Sequence, residues 1–144
     1  MSETLENIKQ CVVSGNIPNL FQNIMTYALE RGGSDIHIEP EKKHTLIRIR
    51  VDGLLRSVVQ MPSALHPALV SRVKIMANLK IDEQRVPQDG KTNMVTDSGK
   101  AMDLRINTLP TLHGEKVCLR LQDKSKTIPT FQQLGIRGSS YINL

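Results

Sequence analysis

Apolar and charged residues alternate with period two in several short stretches of this chain, and that rhythm restricts them to strands with one buried and one charged face. Asp35-Ile36-His37-Ile38-Glu39 puts Ile36 and Ile38 on one side and Asp35, His37 and Glu39 on the other. Leu46 to Val51 repeats the pattern with Arg48 and Arg50 turned away from the core, and Asp52-Gly53 is a hairpin signal leading into Leu54 to Met61. Three further extended stretches are predicted at Lys91 to Thr96, Ala101 to Thr108 and Glu115 to Gln122. Asp97-Ser98-Gly99 reads as the turn between the first two, and Pro110 to Gly114 as a longer loop before the third.

Two stretches switch to helical spacing. Ile17, Leu20, Phe21, Ile24, Met25, Ala28 and Leu29 mark one face of a helix, stopped by Arg31-Gly32-Gly33. A second helix opens at Pro62-Ser63, with Ser63 as its cap, Pro67 in its first turn and Leu65, Leu69, Val70, Val73 and Met76 or Ala77 on one side; it is predicted to end near Leu79. The order is helix, three strands, helix, three strands. Short links make such strands largely antiparallel, so the expected class is α+β, with about six strands in a sheet and helices on one face. Residues 1–16 read as a flexible lead-in outside the core and residues 17–122 as the folded unit. The stretch 123–144, rich in Lys, Ser, Thr, Gly and Pro, reads as a linker with a helical turn near Phe131 to Leu134.

The 144 residues carry 19 Lys plus Arg against 14 Asp plus Glu, a net charge of +5, which favours an anionic partner. Cys11 and Cys118 form no CxxC or metal spacing, no secretory signal is evident, and no apolar run is long enough to span a bilayer. A reducing cytoplasm and no direct membrane span are expected. Asp35, His37 and Glu39 lack a second ligand cluster, so no metal site is expected. The aromatic residues Phe21, Tyr27, Phe131 and Tyr141 lie outside the predicted strands, which argues against nucleic acid, whose bases need stacking platforms there. Arg105 and Arg120 each sit between apolar strand residues and face away from the core. On spacing alone Arg105 reads as a solvated surface charge, while Arg120 either faces an anion or pairs with Glu115 or Asp103. Arg85 either contacts phosphate or anchors the turn from Pro87 to Gly90.

Five segments carry a resemblance: Ser34 to Pro40, Arg48 to Gly53, Ser71 to Ala77, Arg85-Val86-Pro87-Gln88-Asp89-Gly90-Lys91, and Leu109-Pro110-Thr111-Leu112-His113-Gly114-Glu115-Lys116. Over about residues 17 to 136 the chain resembles the type II secretion and type IV pilus assembly ATPases. The matching region there is the second N-terminal domain, a PAS-like module preceding a RecA-like ATPase domain. GxxxxGK[ST] is absent, so the 144 residues hold no P-loop. The resemblance implies a piece of a longer homohexameric ATPase that uses ATP and Mg2+, while the fragment alone is expected to bind no cofactor and to be inactive. The implied partners are the RecA-like domains of the same and neighbouring subunits and an inner-membrane platform, reached from the cytoplasm. Carried over by position, Arg105 and Lys91 are the implied catalytic cations, with Arg120 and Arg85 as further phosphate contacts. The family pattern has Arg where this chain has Lys91, and Lys acts as a point charge rather than a bidentate fork. Two other readings remain open from the residues: a basic nucleic-acid-binding domain and a PAS-like small-ligand sensor.

Overall fold

In the computed structural model, which describes residues 3–95, 99 and 101–123, the chain runs α1 (Glu3–Ser14), α2 (Ile17–Glu30), β1 (Asp35–Pro40), β2 (His44–Val51), β3 (Leu54–Pro62), a 3-10 turn (Ser63–Leu65), α3 (His66–Ala77), β4 (Gln88–Val95), β5 (Ala101–Thr111) and β6 (Gly114–Asp123). The strands form one sheet in the order β3-β2-β1-β6-β5-β4, and every neighbouring pair is antiparallel. Two three-stranded meanders therefore meet side by side along β1 and β6. This is the expected α+β arrangement.

The helices share one core with a single sheet face. Ile36, Ile38, Ile47, Ile49, Leu104, Ile106, Val117 and Leu119 from the strands join Leu20, Phe21, Ile24 and Met25 of α2 and Leu69 and Val73 of α3 in one buried cluster. Asn16 starts α2 by accepting a hydrogen bond from the Asn19 amide at 3.4 Å, with Pro18 in the first turn. Gly32, at φ 71°, takes the left-handed position that ends it. At the Asp52-Gly53 hairpin both residues have positive φ, 53° and 81°, as a two-residue turn matched to strand twist requires.

Several expectations need correction. Residues 3–14 do not lie outside the core: they form α1 against α2, with Ile8 fully buried. Their apolar stripe is too short to hold a helix by itself, and α2 supplies the surface that stabilises it. Ser63 does not cap α3 but opens the 3-10 turn, and α3 ends at Ala77 because Asn78 adopts the left-handed conformation at φ 59°. The expected loop from Pro110 to Gly114 is a tight hairpin, since β5 continues through Thr111 and β6 begins at Gly114. There the Thr111 hydroxyl donates to the Gly114 carbonyl at 2.6 Å. β4 begins three residues before Lys91, at Gln88. Thr96, the turn residues 97–98 and the helical turn near Phe131 lie outside the described residues.

Gly90 explains part of the Gln88-Asp89-Gly90-Lys91 sequence. It faces the helices opposite Ile106, and a Cβ there would sit 2.9 Å from Leu79 Cδ2 and 3.2 Å from the Ala77 carbonyl oxygen. The missing side chain lets the end of α3 rest on β4 while Lys91, one residue on, points to the other face.

Candidate functional site

The sheet face turned away from the helices is a grid of charged side chains fixed by register. In one row β1, β2 and β6 place His37 beside Arg48 and Cys118, and in the next Asp35 stands between Arg50 and Arg120. Glu39 accepts from Arg48 Nη2 at 2.8 Å and lies 3.7 Å from Lys116 Nζ. Asp35, largely buried, meets Arg50 Nε at 3.3 Å through one oxygen and Arg120 Nε at 3.2 Å through the other. Burial pushes the Glu39 carboxyl up, but the hydrogen bond and charge of Arg48 outweigh it and leave the pKa lowered. The expected partners of Arg120, Glu115 and Asp103, are replaced by Asp35. Glu115 points to the other face, and β6 pairs with β1 as well as with β5.

Continuing the Asp35 row across the second meander gives Arg120 on β6, Arg105 on β5 and Lys91 on β4, each directly opposite the next. Adjacent strands lie about 4.8 Å apart, so three cations occupy a line of roughly 10 Å. Like charges directly opposite repel. All three are exposed, and among the described residues no carboxylate lies within ion-pair distance of Lys91 or Arg105. A recess of about 170 Å³ beside them is lined by Asn93, Asp103 and Gln122 together with Lys91 and Arg105. The open face carries no aromatic side chain among the described residues, Phe21 and Tyr27 both lying on α2.

Arg85 does not join this row. It lies on the helix side of the sheet, at the rim of a cavity of about 310 Å³ that His66, Lys74, His113 and Glu115 also line. At the base of that cavity Lys74 Nζ donates to Glu115 Oε1 at 2.6 Å and to the Glu83 carbonyl at 2.8 Å. Lys74 is 1% and Glu115 7% exposed. Beside them His66 Nε2 donates to the Glu115 carbonyl at 2.7 Å, which leaves Nδ1 to accept from the Thr45 hydroxyl at 2.9 Å. Burial lowers the His66 pKa, and the neutral ring suits both partners.

Residues 12–141 match the protein family described as Type II/IV secretion system protein. The chain belongs to that family. It is 49% identical over 113 residues to the Type II secretion system protein HxcR of Pseudomonas aeruginosa, covering 78% of this chain and 24% of that protein. It is 44% identical over 127 residues to the Type II secretion system ATPase E of Vibrio cholerae, covering 88% and 25%, and 39% identical over 134 residues to the Type IV pilus assembly ATPase PilB of Myxococcus xanthus, covering 93% and 24%. The chain thus spans about a quarter of the length of these relatives.

Within this family member, the residues singled out from sequence divide into two places: Lys91, Arg105 and Arg120 share the open face, and Arg85 stands apart. The buried pair of Lys74 and Glu115 escaped sequence reading, because a lysine between Val73 and Ile75 reads as a solvated helix position. Its one sequence signal is position: Lys74 follows Val70 by four, on the stripe that α3 buries. Among the described residues no group of three His, Cys, Asp or Glu is placed to hold a metal ion. The Cys118 thiol, half-buried, has its pKa pushed up by burial and by Asp35, which makes it a poor nucleophile. No helix of the described residues is long and apolar enough to cross a membrane.

Proposed function

We propose that this chain is an N-terminal region of a homohexameric secretion or type IV pilus assembly ATPase, and that its open sheet face supplies Arg105, Lys91 and Arg120 to the phosphates of ATP. The observation that carries this reading is the row itself, in which register sets three cations side by side and, among the described residues, two of them have no carboxylate within ion-pair distance. Holding like charges together costs folding free energy, and a polyanion entering the row turns that cost into attraction.

The phosphates would be bound elsewhere, on a RecA-like domain of the same or a neighbouring subunit, since these 144 residues contain no P-loop. Rigid strands hold the cations, and a rigid-body approach of this domain would bring them in as charge spreads over the transferred phosphoryl oxygens. Arg105, centred in the row and able to fork, is the leading contact; Lys91 contributes a point charge, and Arg120 is shared with Asp35. The described residues do not fit a resident Mg2+, which would arrive with the nucleotide. Coupling of the domain movement to an inner-membrane platform would place the assembly on the cytoplasmic side of that membrane.

Arg105→Ala in the full-length ATPase tests the reading. ATP turnover is expected to fall at least about tenfold, equivalent to about 1.4 kcal/mol of barrier, with the hexamer intact by mass measurement. Unchanged turnover in an assembled hexamer rejects the role.

A further inference from the structure

The buried pair beneath α3 does more than fill the core. A lysine and a glutamate withdrawn from water carry a large desolvation cost, and an apolar pair of the same volume is often at least as stable. Glu115 Oε2 also has no hydrogen-bond partner. The cost is therefore not explained by stability, and the bonds of Lys74 point to another role. Its Nζ reaches Glu115, at the start of β6, and the backbone carbonyl of Glu83, in the segment leading into β4. That same carbonyl accepts from Gln88 Nε2 at 3.1 Å, and Gln88 also ties to Lys80 through Nε2 to its carbonyl at 2.9 Å and through Oε1 from its amide at 2.8 Å. The Gln88 amide in turn donates to Thr108 Oγ1 on β5 at 3.2 Å. One ammonium on α3 thus holds the entry to β4, which carries Lys91, and the entry to β6, which carries Arg120.

We propose that Lys74 is a positioning residue: with Glu115 and Gln88 it fastens residues 80–91 and the β5–β6 hairpin to α3, and so fixes Lys91 and Arg120 in register with Arg105. The inference rests on the phosphate-binding reading of the row. It makes α3 the lever through which a push on the helix side of the sheet is felt at the cations on the far side. Its chemistry is directional, because an ammonium constrains two acceptors at set distances, whereas a methyl group in the same place fills volume without fixing either.

The test uses two variants. Lys74→Met/Glu115→Leu replaces the pair by apolar residues of similar volume, and Gln88→Ala cuts the tie to β4 without touching the pair. In each, melting is expected to stay close to wild type while amide hydrogen exchange across 80–91 speeds up about tenfold and β1 and β2 are unchanged. In the full-length ATPase both variants are expected to lower kcat by about tenfold with KM for ATP nearly constant, as displaced cations require. Wild-type exchange and wild-type kcat in a folded double variant overturn the proposal. So does faster exchange with unchanged kcat, provided Arg105→Ala run in parallel loses turnover; that outcome leaves the reading of the row standing. Unchanged turnover in Arg105→Ala strikes the reading itself, and with it the link between Lys74 and catalysis.

Discussion

The two meanders of the sheet carry the same kind of alternating pattern on their open faces and use their cations differently. In the first, Arg50 faces Asp35 directly across to β1, and Arg48 reaches Glu39 diagonally, past its direct neighbour His37. In the second, no acidic residue stands opposite Arg105 in register: its neighbours there are Lys91 and Arg120. Lys116 and Arg120, on the seam strand, lean back toward the carboxylates of the first meander. An arginine on a strand face is therefore not informative alone. Its cross-strand neighbours, direct and diagonal, decide whether its charge is met within the sheet.

The largest expected contrast is in stability. Glu39→Ala removes the acceptor of Arg48 and the neighbour of Lys116, and is expected to cost about 2 kcal/mol, the scale of a hydrogen bond to a charged group. Arg105→Ala is expected to change stability by no more than about 0.5 kcal/mol, with relief of repulsion offsetting lost packing. Urea denaturation of both variants checks the difference. Equal losses would erase the distinction between a paired and an unpaired half.

Asp35→Asn sharpens the comparison at the seam. Asp35 meets the cationic row at Arg120, and it holds Arg120 and Arg50 at once. Neutralising it is expected to cost about 1 kcal/mol of stability, discounted because Arg120 is 66% exposed. It also frees a third cation, so pyrophosphate binding by the chain, measured by titration calorimetry at low salt, is expected to tighten about threefold. Unchanged or weaker binding would mean that Arg120 does not belong to the anion-facing set.

What sequence could show of this arrangement follows from how local each feature is. The strand faces, the Asp52-Gly53 turn and the end of α2 at Gly32 were legible, because each depends on spacing or backbone conformation within a few residues. The tie of Asp35 to Arg120 spans 85 positions and exists because β1 and β6 lie side by side, which no local pattern encodes. The same pairing gives Arg120 Asp35 in place of Asp103, while Glu115, an odd number of positions before it on β6, lies on the other sheet face by alternation alone. α1 was missed since its stripe of Ile8 and Cys11 gains meaning only against α2. Lys74 was missed because sequence cannot show that an acid from a hairpin 41 positions away meets it inside the core. Of the row, the outward facing of Arg105 and Arg120 was legible from alternation, while the alignment of Lys91, Arg105 and Arg120 and the separation of Arg85 came from the topology.

The smallest expected effect concerns His37, which belongs to the first meander and yet has no partner. Both ring nitrogens are buried without a hydrogen bond, and burial, with help from Lys116, lowers its pKa from the ordinary 6.5 against the opposing pull of Glu39 and Asp35. A histidine whose folded pKa lies below its unfolded one binds more protons when unfolded in the window between the two values. Stability is therefore at its full value above about pH 6.5 and falls as the pH drops toward the folded pKa. His66 contributes with the same sign, while the lowered pKa of Glu39 adds a further loss only below its ordinary 4.5. His37→Leu is expected to stay within about 1 kcal/mol of wild type at pH 7.5, since two unsatisfied nitrogens leave with the ring. Between pH 7.5 and 5.5 it is expected to lose less stability than wild type, with the remaining slope due to His66. Identical slopes in urea denaturation at the two pH values would show that His37 protonates freely in the folded state, and would move it from the spent half of the sheet to the half still open to a ligand.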